Sequence, residues 1–208
     1  MRRSGPSTFY NRFAKRWLDV AVSVTALAAL APVLAVVSVA VLRKHGRPIL
    51  FRQIRTGMGG KPFHIYKFRT MTDERDATGK LLPDKQRLTA LGAWLRETSI
   101  DELPELLNVL QGDMSLVGPR PLLHHYMRHY SQHQARRHDC RPGLTGWAVV
   151  NGRNTTTWEE RFELDVFYVD HLSPGLDAQI LLRTIMTVLS REGIVPDSAD
   201  QMPEFGPA

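Results

Sequence analysis

An adjacent acid pair, Asp101-Glu102, opens the stretch of this chain richest in chemistry, and a Gly118-Pro-Arg-Pro121 loop carrying Arg120 closes it. An aspartate is ionised at neutral pH and can attack phosphorus, forming an acyl phosphate that splits one displacement into two. The glutamate can position or deprotonate a second nucleophile. Two carboxylates facing a diphosphate would have their charge offset by a divalent ion. A guanidinium such as that of Arg120 holds two phosphate oxygens at once. These residue types point to phosphate chemistry. The competing reading is that Asp101 and Glu102 only complement the dipole at a helix start.

The elements that must position these groups follow from spacing. Ser99 is the expected N-cap of a helix, with Glu102 three residues on as its capping-box partner. Pro104 then falls in the first turns, where proline is tolerated. Upstream, Pro48 to Gln53 and Phe63 to Arg69 read as two strands around glycines 57, 59 and 60. Lys61, Lys67 and Arg69 make that hairpin cationic. Asp73 to Lys85 reads as a solvated loop, and Arg87 to Arg96 has helical spacing in Leu88, Leu91 and Leu95. Leu122 to His138 reads as a helix that aligns His125, His129 and His133 on one face. Imidazoles so spaced can converge on a metal, but no nearby carboxylate or thiol completes a set, and a wetted helix face is expected. Arg141 to Arg153 reads as a glycine-rich loop, a short strand and a turn at Asn151-Gly152. Trp158 to His171 and Leu176 to Leu189 read as two further helices.

The chain has 208 residues, 43% of them apolar, and a net charge of +6. That is one domain with an ordinary core, and the charge favours an anionic partner. The single Cys140 excludes an internal disulfide and is expected to be inert. Val20 to Leu42 carries no charge, and as a straight helix it would span the ~30 Å bilayer core. Pro32 interrupts it, at about 3 kcal/mol within a straight helix, which favours a bend. Each half is then only ~15–18 Å long. Arg12, Lys15 and Arg16 precede the run, and Arg43, Lys44, Arg47, Arg52 and Arg55 follow it, so both ends are drawn to the cytoplasm. A re-entrant membrane helix bent at Pro32 is expected.

Several motifs carry a family resemblance: Lys15-Arg-Trp-Leu-Asp19, Tyr66-Lys-Phe-Arg-Thr-Met71, Asp101-Glu-Leu-Pro104, Asn108 through Pro121, and Arg141-Pro-Gly-Leu-Thr-Gly-Trp147. In order and spacing they resemble the bacterial sugar transferases, the monotopic polyprenyl-phosphate phosphoglycosyl transferases, in their minimal form. Asp73-Glu-Arg-Asp76 and Val150 to Asn154 are most similar to members acting on diacetylbacillosamine.

The resemblance implies a fold and a reaction. The fold is α+β, mainly helical, with a re-entrant membrane helix, a small cytoplasmic domain of amphipathic helices and a short β-hairpin. Its parts are a basic segment (1–16), the membrane helix (17–43), the catalytic domain (44–195) and a flexible tail (196–208). The activity implied is an EC 2.7.8-type transfer of sugar-1-phosphate from a UDP-sugar to undecaprenyl phosphate, releasing UMP. The donor implied is UDP-diacetylbacillosamine or a related UDP-N-acetylhexosamine. This is the first membrane step in making a glycoprotein, O-antigen, capsule or exopolysaccharide. Asp101 matches the nucleophile and contacts Mg²⁺ or Mn²⁺; Glu102 is its dyad partner. Arg120, Lys67, Arg69, Arg96, Arg141 and Arg153 match basic positions around the phosphates. The partners implied are the two substrates and inner-membrane lipids, with no nucleic acid and a homodimer left open, at the cytoplasmic face of the bacterial inner membrane. The alternative is a membrane-tethered protein binding nucleic acid or anionic lipid, which would leave the acid pair without a role.

Overall fold

A computed structural model of the chain describes residues 10–151, 157–190 and 205–206. A turn of π-helix, Tyr10–Ala14, leads into α1 (Lys15–His45). The expected hairpin follows: β1 (Leu50–Thr56) lies antiparallel to β2 (Pro62–Phe68), with Leu50 opposite Phe68 and Thr56 opposite Pro62. After α2 (Asp84–Arg87) and α3 (Ala90–Glu97) comes a 3-10 turn, Ile100–Glu102, and then α4 (Glu105–Gln111). A second small sheet pairs β3 (Ser115–Val117) in parallel with β4 (Gly143–Thr145). The chain between them forms 3-10 turns around α5 (Gln132–Ala135). The helices α6 (Trp147–Asn151), α7 (Trp158–His171) and α8 (Pro174–Ser190) complete a mainly helical molecule.

The main core joins Phe63 and Ile65 of β2 to Leu106 and Val109 of α4, Val117 of β3 and Tyr168 of α7. Leu106 and Val109 are three apart and so share a helix face, while Phe63 and Ile65 are two apart and share a strand face. Asn108, fully buried between them, bonds the open edge of β2: its Nδ2 donates to the His64 carbonyl (2.7 Å) and its Oδ1 accepts from the Tyr66 N–H (3.1 Å). The side chain takes the place of a third strand, satisfying backbone groups that burial would otherwise leave unpaired. Glycine permits the close approach of the two motif loops. A Cβ on Gly118 would lie 2.3 Å from the Arg141 carbonyl oxygen, and one on Gly143 would lie 2.1 Å from the Gly118 nitrogen.

Both ends of α1 are fastened to this body. At its start Lys15 pairs with Asp177 of α8 at 2.5 Å, and Asp19 accepts from the Leu116 N–H at 3.1 Å. Arg16 donates to the Val109 and Leu110 carbonyls in the last turn of α4, where the Val109 carbonyl also accepts from the Gly112 N–H. At the far end Val37 and Val41 pack with Phe68 and Leu95. Only 11% of the most apolar stretch of α1 is buried in the protein, and Trp17, Leu18, Val22, Val33, Val36 and Val39 are exposed. That pattern suits a helix lying against lipid. Pro32 lies inside α1, with helical residues on both sides of it. Proline removes one backbone bond, and the attachments along both ends of the helix offset that loss. Lys15 and Arg16, read from the sequence as flanking membrane charges, are largely spent on internal contacts.

Three expectations are corrected. Ser99 stands at the N-cap position of the 3-10 turn rather than of α4, in a left-handed conformation (φ 54°) with no side-chain capping bond, and Pro104 occupies the N-cap position of α4. Leu122 to His138 is not one helix, so His125, His129 and His133 share no helical face. His133 instead pairs with Glu163 at 3.0 Å, and His129 accepts from Arg128. Residues 147–151, expected as strand and turn, form α6, where Trp147 stacks on Phe167. Cys140 is buried, and burial pushes its thiol up to about 12, which agrees with the expectation of an inert residue.

Candidate active site

Asp101 and Glu102 sit on the 3-10 turn between α3 and α4, immediately after the left-handed Ser99. A non-glycine residue there costs about 1–3 kcal/mol, which the surrounding packing must offset. Part of that packing is the Gly92 contact: a Cβ at this position of α3 would meet the Thr70 carbonyl oxygen at 1.8 Å. Only glycine lets α3 lie close enough to deliver the turn beside β2.

The two acids have different surroundings. Glu102 is held between Lys67 of β2 and Arg120 of the Gly-Pro-Arg-Pro loop, with Arg120 Nη2 2.5 Å from Oε1. Burial acts to raise its carboxyl, but the Arg120 and Lys67 charges outweigh burial and hold it well below the usual range. Its oxygens are already engaged and weakly basic, which suits it to positioning the two cations rather than to taking up a proton. The Arg120 guanidinium is pushed up in turn by the Glu102 charge. Asp101 is 8% exposed, and burial followed by the Glu102 charge pushes its carboxyl up to about 6. It is therefore mostly ionised at neutral pH, yet more basic than an ordinary aspartate. Lys67, Arg96 and Arg120 oppose that rise, so all three are electrically close to it.

Glu105, in the first turn of α4, is 2% exposed with Lys67 Nζ at 3.3 Å; burial and the Glu102 charge push it up to about 7. Lys67 thus faces two carboxylates from a strand position of the same parity as Phe63 and Ile65. Period-two alternation turns it inward, and the acids of the α4 region answer the buried charge. Arg120 is fixed from behind. Its backbone carbonyl accepts from Arg137 Nη2 at 2.8 Å, and Arg137 is buried in an ion pair with Asp165 (2.6 Å).

The structure thus gathers Asp101, Glu102, Lys67, Arg96 and Arg120, five of the residues proposed from sequence. Arg96 also donates to the Thr70 hydroxyl at 3.1 Å. Two others serve elsewhere. Arg69 donates to the His45 and Pro48 carbonyls at 3.2 Å and pairs with Asp73 at 2.6 Å, tying the end of α1 to the hairpin. Arg141 donates to the Gly112 carbonyl at 2.9 Å. Arg153 lies outside the described residues. The sequence reading passed over Glu105, Asn108, Arg137 and Asp165. The strand parity of Lys67 was the available signal for a compensating acid; the others depend on long-range packing.

A family model described as bacterial sugar transferase matches residues 10–191. The chain belongs to the bacterial sugar transferase family. One relative, named as the uncharacterized sugar transferase EpsL of Bacillus subtilis, is 55% identical over 181 residues, covering 86% of this chain and 89% of the relative. A UDP-glucose:undecaprenyl-phosphate glucose-1-phosphate transferase of Xanthomonas campestris is 38% identical over 86% of this chain and 39% of its own length. A UDP-N-acetylgalactosamine-undecaprenyl-phosphate N-acetylgalactosaminephosphotransferase of Aeromonas hydrophila is 35% identical over 90% of this chain and 46% of its own. The chain thus spans less than half of these last two. The matched region of this bacterial sugar transferase contains the acid pair, the hairpin lysine and the Arg120 loop together. Of the cations that the nucleic-acid alternative relied on, Lys15, Arg16, Arg136 and Arg137 are engaged within the protein.

Proposed function

We propose that this family member transfers sugar-1-phosphate from a UDP-sugar to undecaprenyl phosphate through an aspartyl intermediate, releasing UMP. The observation that carries the reading is the contrast within the acid pair. Glu102 is locked ionised between Lys67 and Arg120, while Asp101 beside it is buried and made more basic. In the first step an Asp101 oxygen attacks the sugar-bearing phosphorus, and the bond from that phosphorus to the oxygen shared with UMP breaks. In the second, an oxygen of the lipid phosphate attacks the same phosphorus and the aspartyl bond breaks. Arg120 and Lys67, positioned by Glu102, offset the charge that develops on the phosphoryl oxygens.

A divalent ion fits the donor set. No group of three or more acidic, histidine or cysteine side chains forms a cage among the described residues. Mg²⁺ typically binds through one or two carboxylates together with substrate phosphates, and Asp101 is the carboxylate for that role. When bound, such an ion neutralises diphosphate charge.

The reading extends to topology. The exposed apolar face of α1 lies in one leaflet of the bacterial inner membrane with Pro32 at the turn of a re-entrant helix. Both fastened ends, and the site, then lie on the cytoplasmic side, where UDP-sugars are found. The donor sugar follows the diacetylbacillosamine type, or another UDP-N-acetylhexosamine. The experiment is a UMP-release screen over UDP-diacetylbacillosamine, UDP-N-acetylgalactosamine and UDP-glucose, with undecaprenyl phosphate and Mg²⁺. Lipid-dependent UMP release supports the function; none with any donor refutes it. Release of free sugar phosphate without lipid phosphate would indicate a hydrolase instead.

A further inference from the structure

A small pocket lined by Arg55, Ile65, Lys67, Glu105, Arg120 and Pro121 adjoins the acid pair. Lys67 and Arg120 are tied to Glu102. Arg55, from β1, is held only at its tips. Its Nη2 donates to Gln53 Oε1 at 2.6 Å and its Nη1 reaches the Pro121 carbonyl at 3.5 Å. Its buried Nε has no acceptor among the described residues. The wholly structural Arg137 differs: its Nε and both terminal nitrogens have acceptors. A buried donor left unmet costs about 1–3 kcal/mol. A buried acceptor, which a phosphate could satisfy only through a proton, lines the same pocket. Glu105 Oε1 is buried with no hydrogen-bond partner among the described residues, the Lys67 ammonium at 3.3 Å being an ion-pair neighbour only.

Charge points the same way. Arg55, Lys67 and Arg120 bring three positive charges beside two carboxylates, Glu102 and Glu105. Burial and then the Arg120 charge push the Arg55 guanidinium down, against the opposing pull of Glu105, Tyr126 and Glu102. The positive charge that the carboxylates leave over favours an anion beside Arg55. A phosphate would give the Arg55 Nε its missing acceptor, and guanidinium geometry suits it.

We propose that Arg55 is a substrate-contacting residue that, together with Arg120, holds a phosphate group in this pocket. The inference rests on the transferase reading above. The phosphate is either that of the nucleotide sugar or the monoester of the polyprenyl lipid, and the two are separable by kinetics.

The test uses the full-length protein in detergent with Arg55→Gln and Arg55→Lys. KM and kcat are measured against the UDP-sugar and against undecaprenyl phosphate, alongside thermal midpoints. Arg55→Gln is expected to raise the KM of one substrate tenfold or more, with its midpoint within ~2 °C of wild type and partial recovery in Arg55→Lys. A raised KM for the UDP-sugar assigns the pocket to the nucleotide side; a raised KM for the lipid assigns it to the acceptor. Unchanged KM values for both, or a loss of kcat accompanied by a lower midpoint, overturn the proposal. If the wild type turns over no UDP-sugar, the functional reading has failed, and calorimetric titration with inorganic pyrophosphate decides the pocket alone. Binding weakened tenfold or more in Arg55→Gln supports it; equal affinity, or no binding by the wild type, overturns it.

Discussion

Replacing Arg137 with methionine removes the cation that balances Asp165 and also the donor that holds the Arg120 backbone. Both side chains of the ion pair are 1% exposed. Asp165 would be left buried without its partner, and breaking such a pair costs about 3–5 kcal/mol. At roughly 2–4 °C per kcal/mol for a chain of this size, the thermal midpoint should fall by roughly 6–20 °C. Activity should fall as well, because the 2.8 Å bond to the Arg120 carbonyl is lost and the loop is no longer pinned. A tenfold loss of kcat, about 1.4 kcal/mol, is the expected scale. The double variant Arg137→Met/Asp165→Leu separates the two effects. Replacing both members of a buried pair with apolar groups is often neutral or stabilising, so the midpoint should recover while kcat stays low. Melting curves and UMP-release kinetics on the three proteins provide the assay. Recovery of both midpoint and kcat in the double variant would refute the link to Arg120, and a single-variant cost under 1 kcal/mol would refute the buried pair.

Three further outcomes are expected. Arg120→Lys should lower kcat/KM about tenfold or more, because an ammonium cannot hold two oxygens as a guanidinium does; wild-type kinetics would place Arg120 outside the site. His138 is pushed down to about 4 by burial and by the Arg137 charge, against the pull of the Gly57 backbone. Its folded value is depressed, so the unfolded chain binds the proton more tightly, and stability falls as pH drops from ~6.5 towards 4, by about 3 kcal/mol. Denaturant titrations across that window should show the slope in wild type and lose it in His138→Gln. For topology, Ser4→Cys in a Cys140→Ser background should resist a membrane-impermeant thiol reagent on intact cells; labelling from outside would place the N-terminus in the periplasm and exclude the monotopic arrangement.

What the sequence made legible was local. Alternation in Phe63 to Phe68 and the glycines at 57, 59 and 60 specify the hairpin within one turn of chain. Trp158 to His171 was legible as a helix and is α7, whose start the structure shows capped by Thr157 with Glu160 as its reciprocal partner. The acid pair and Arg120 were visible by residue type, and the direct pairing of Arg120 with Glu102, beside Lys67, agrees with that reading. The turn that carries the pair was misread because Ser99-x-x-Glu102 has the capping pattern, while tertiary demand for Glu102 by two cations takes its side chain elsewhere. Leu122 to His138 was misread for a similar reason. Tyr126, Tyr130 and Phe162 assemble an aromatic cluster that short turns serve better than a straight helix. Arg69 and Arg137 look alike in sequence, and only packing separates a tie between loops from a support for Arg120. The pairings Lys15–Asp177 and Arg137–Asp165 join residues far apart in the chain, which no local pattern encodes.

The central claim is that Asp101 takes the phosphosugar, and peptide mass spectrometry addresses it most directly. The wild type is incubated with the UDP-sugar and Mg²⁺ in the absence of undecaprenyl phosphate, quenched in acid, and digested. The account predicts a mass increment of one phosphosugar on the peptide containing Asp101, removed by adding the lipid phosphate, with no increment and no UMP release in Asp101→Asn. An unmodified peptide together with sustained UMP release by Asp101→Asn would contradict it.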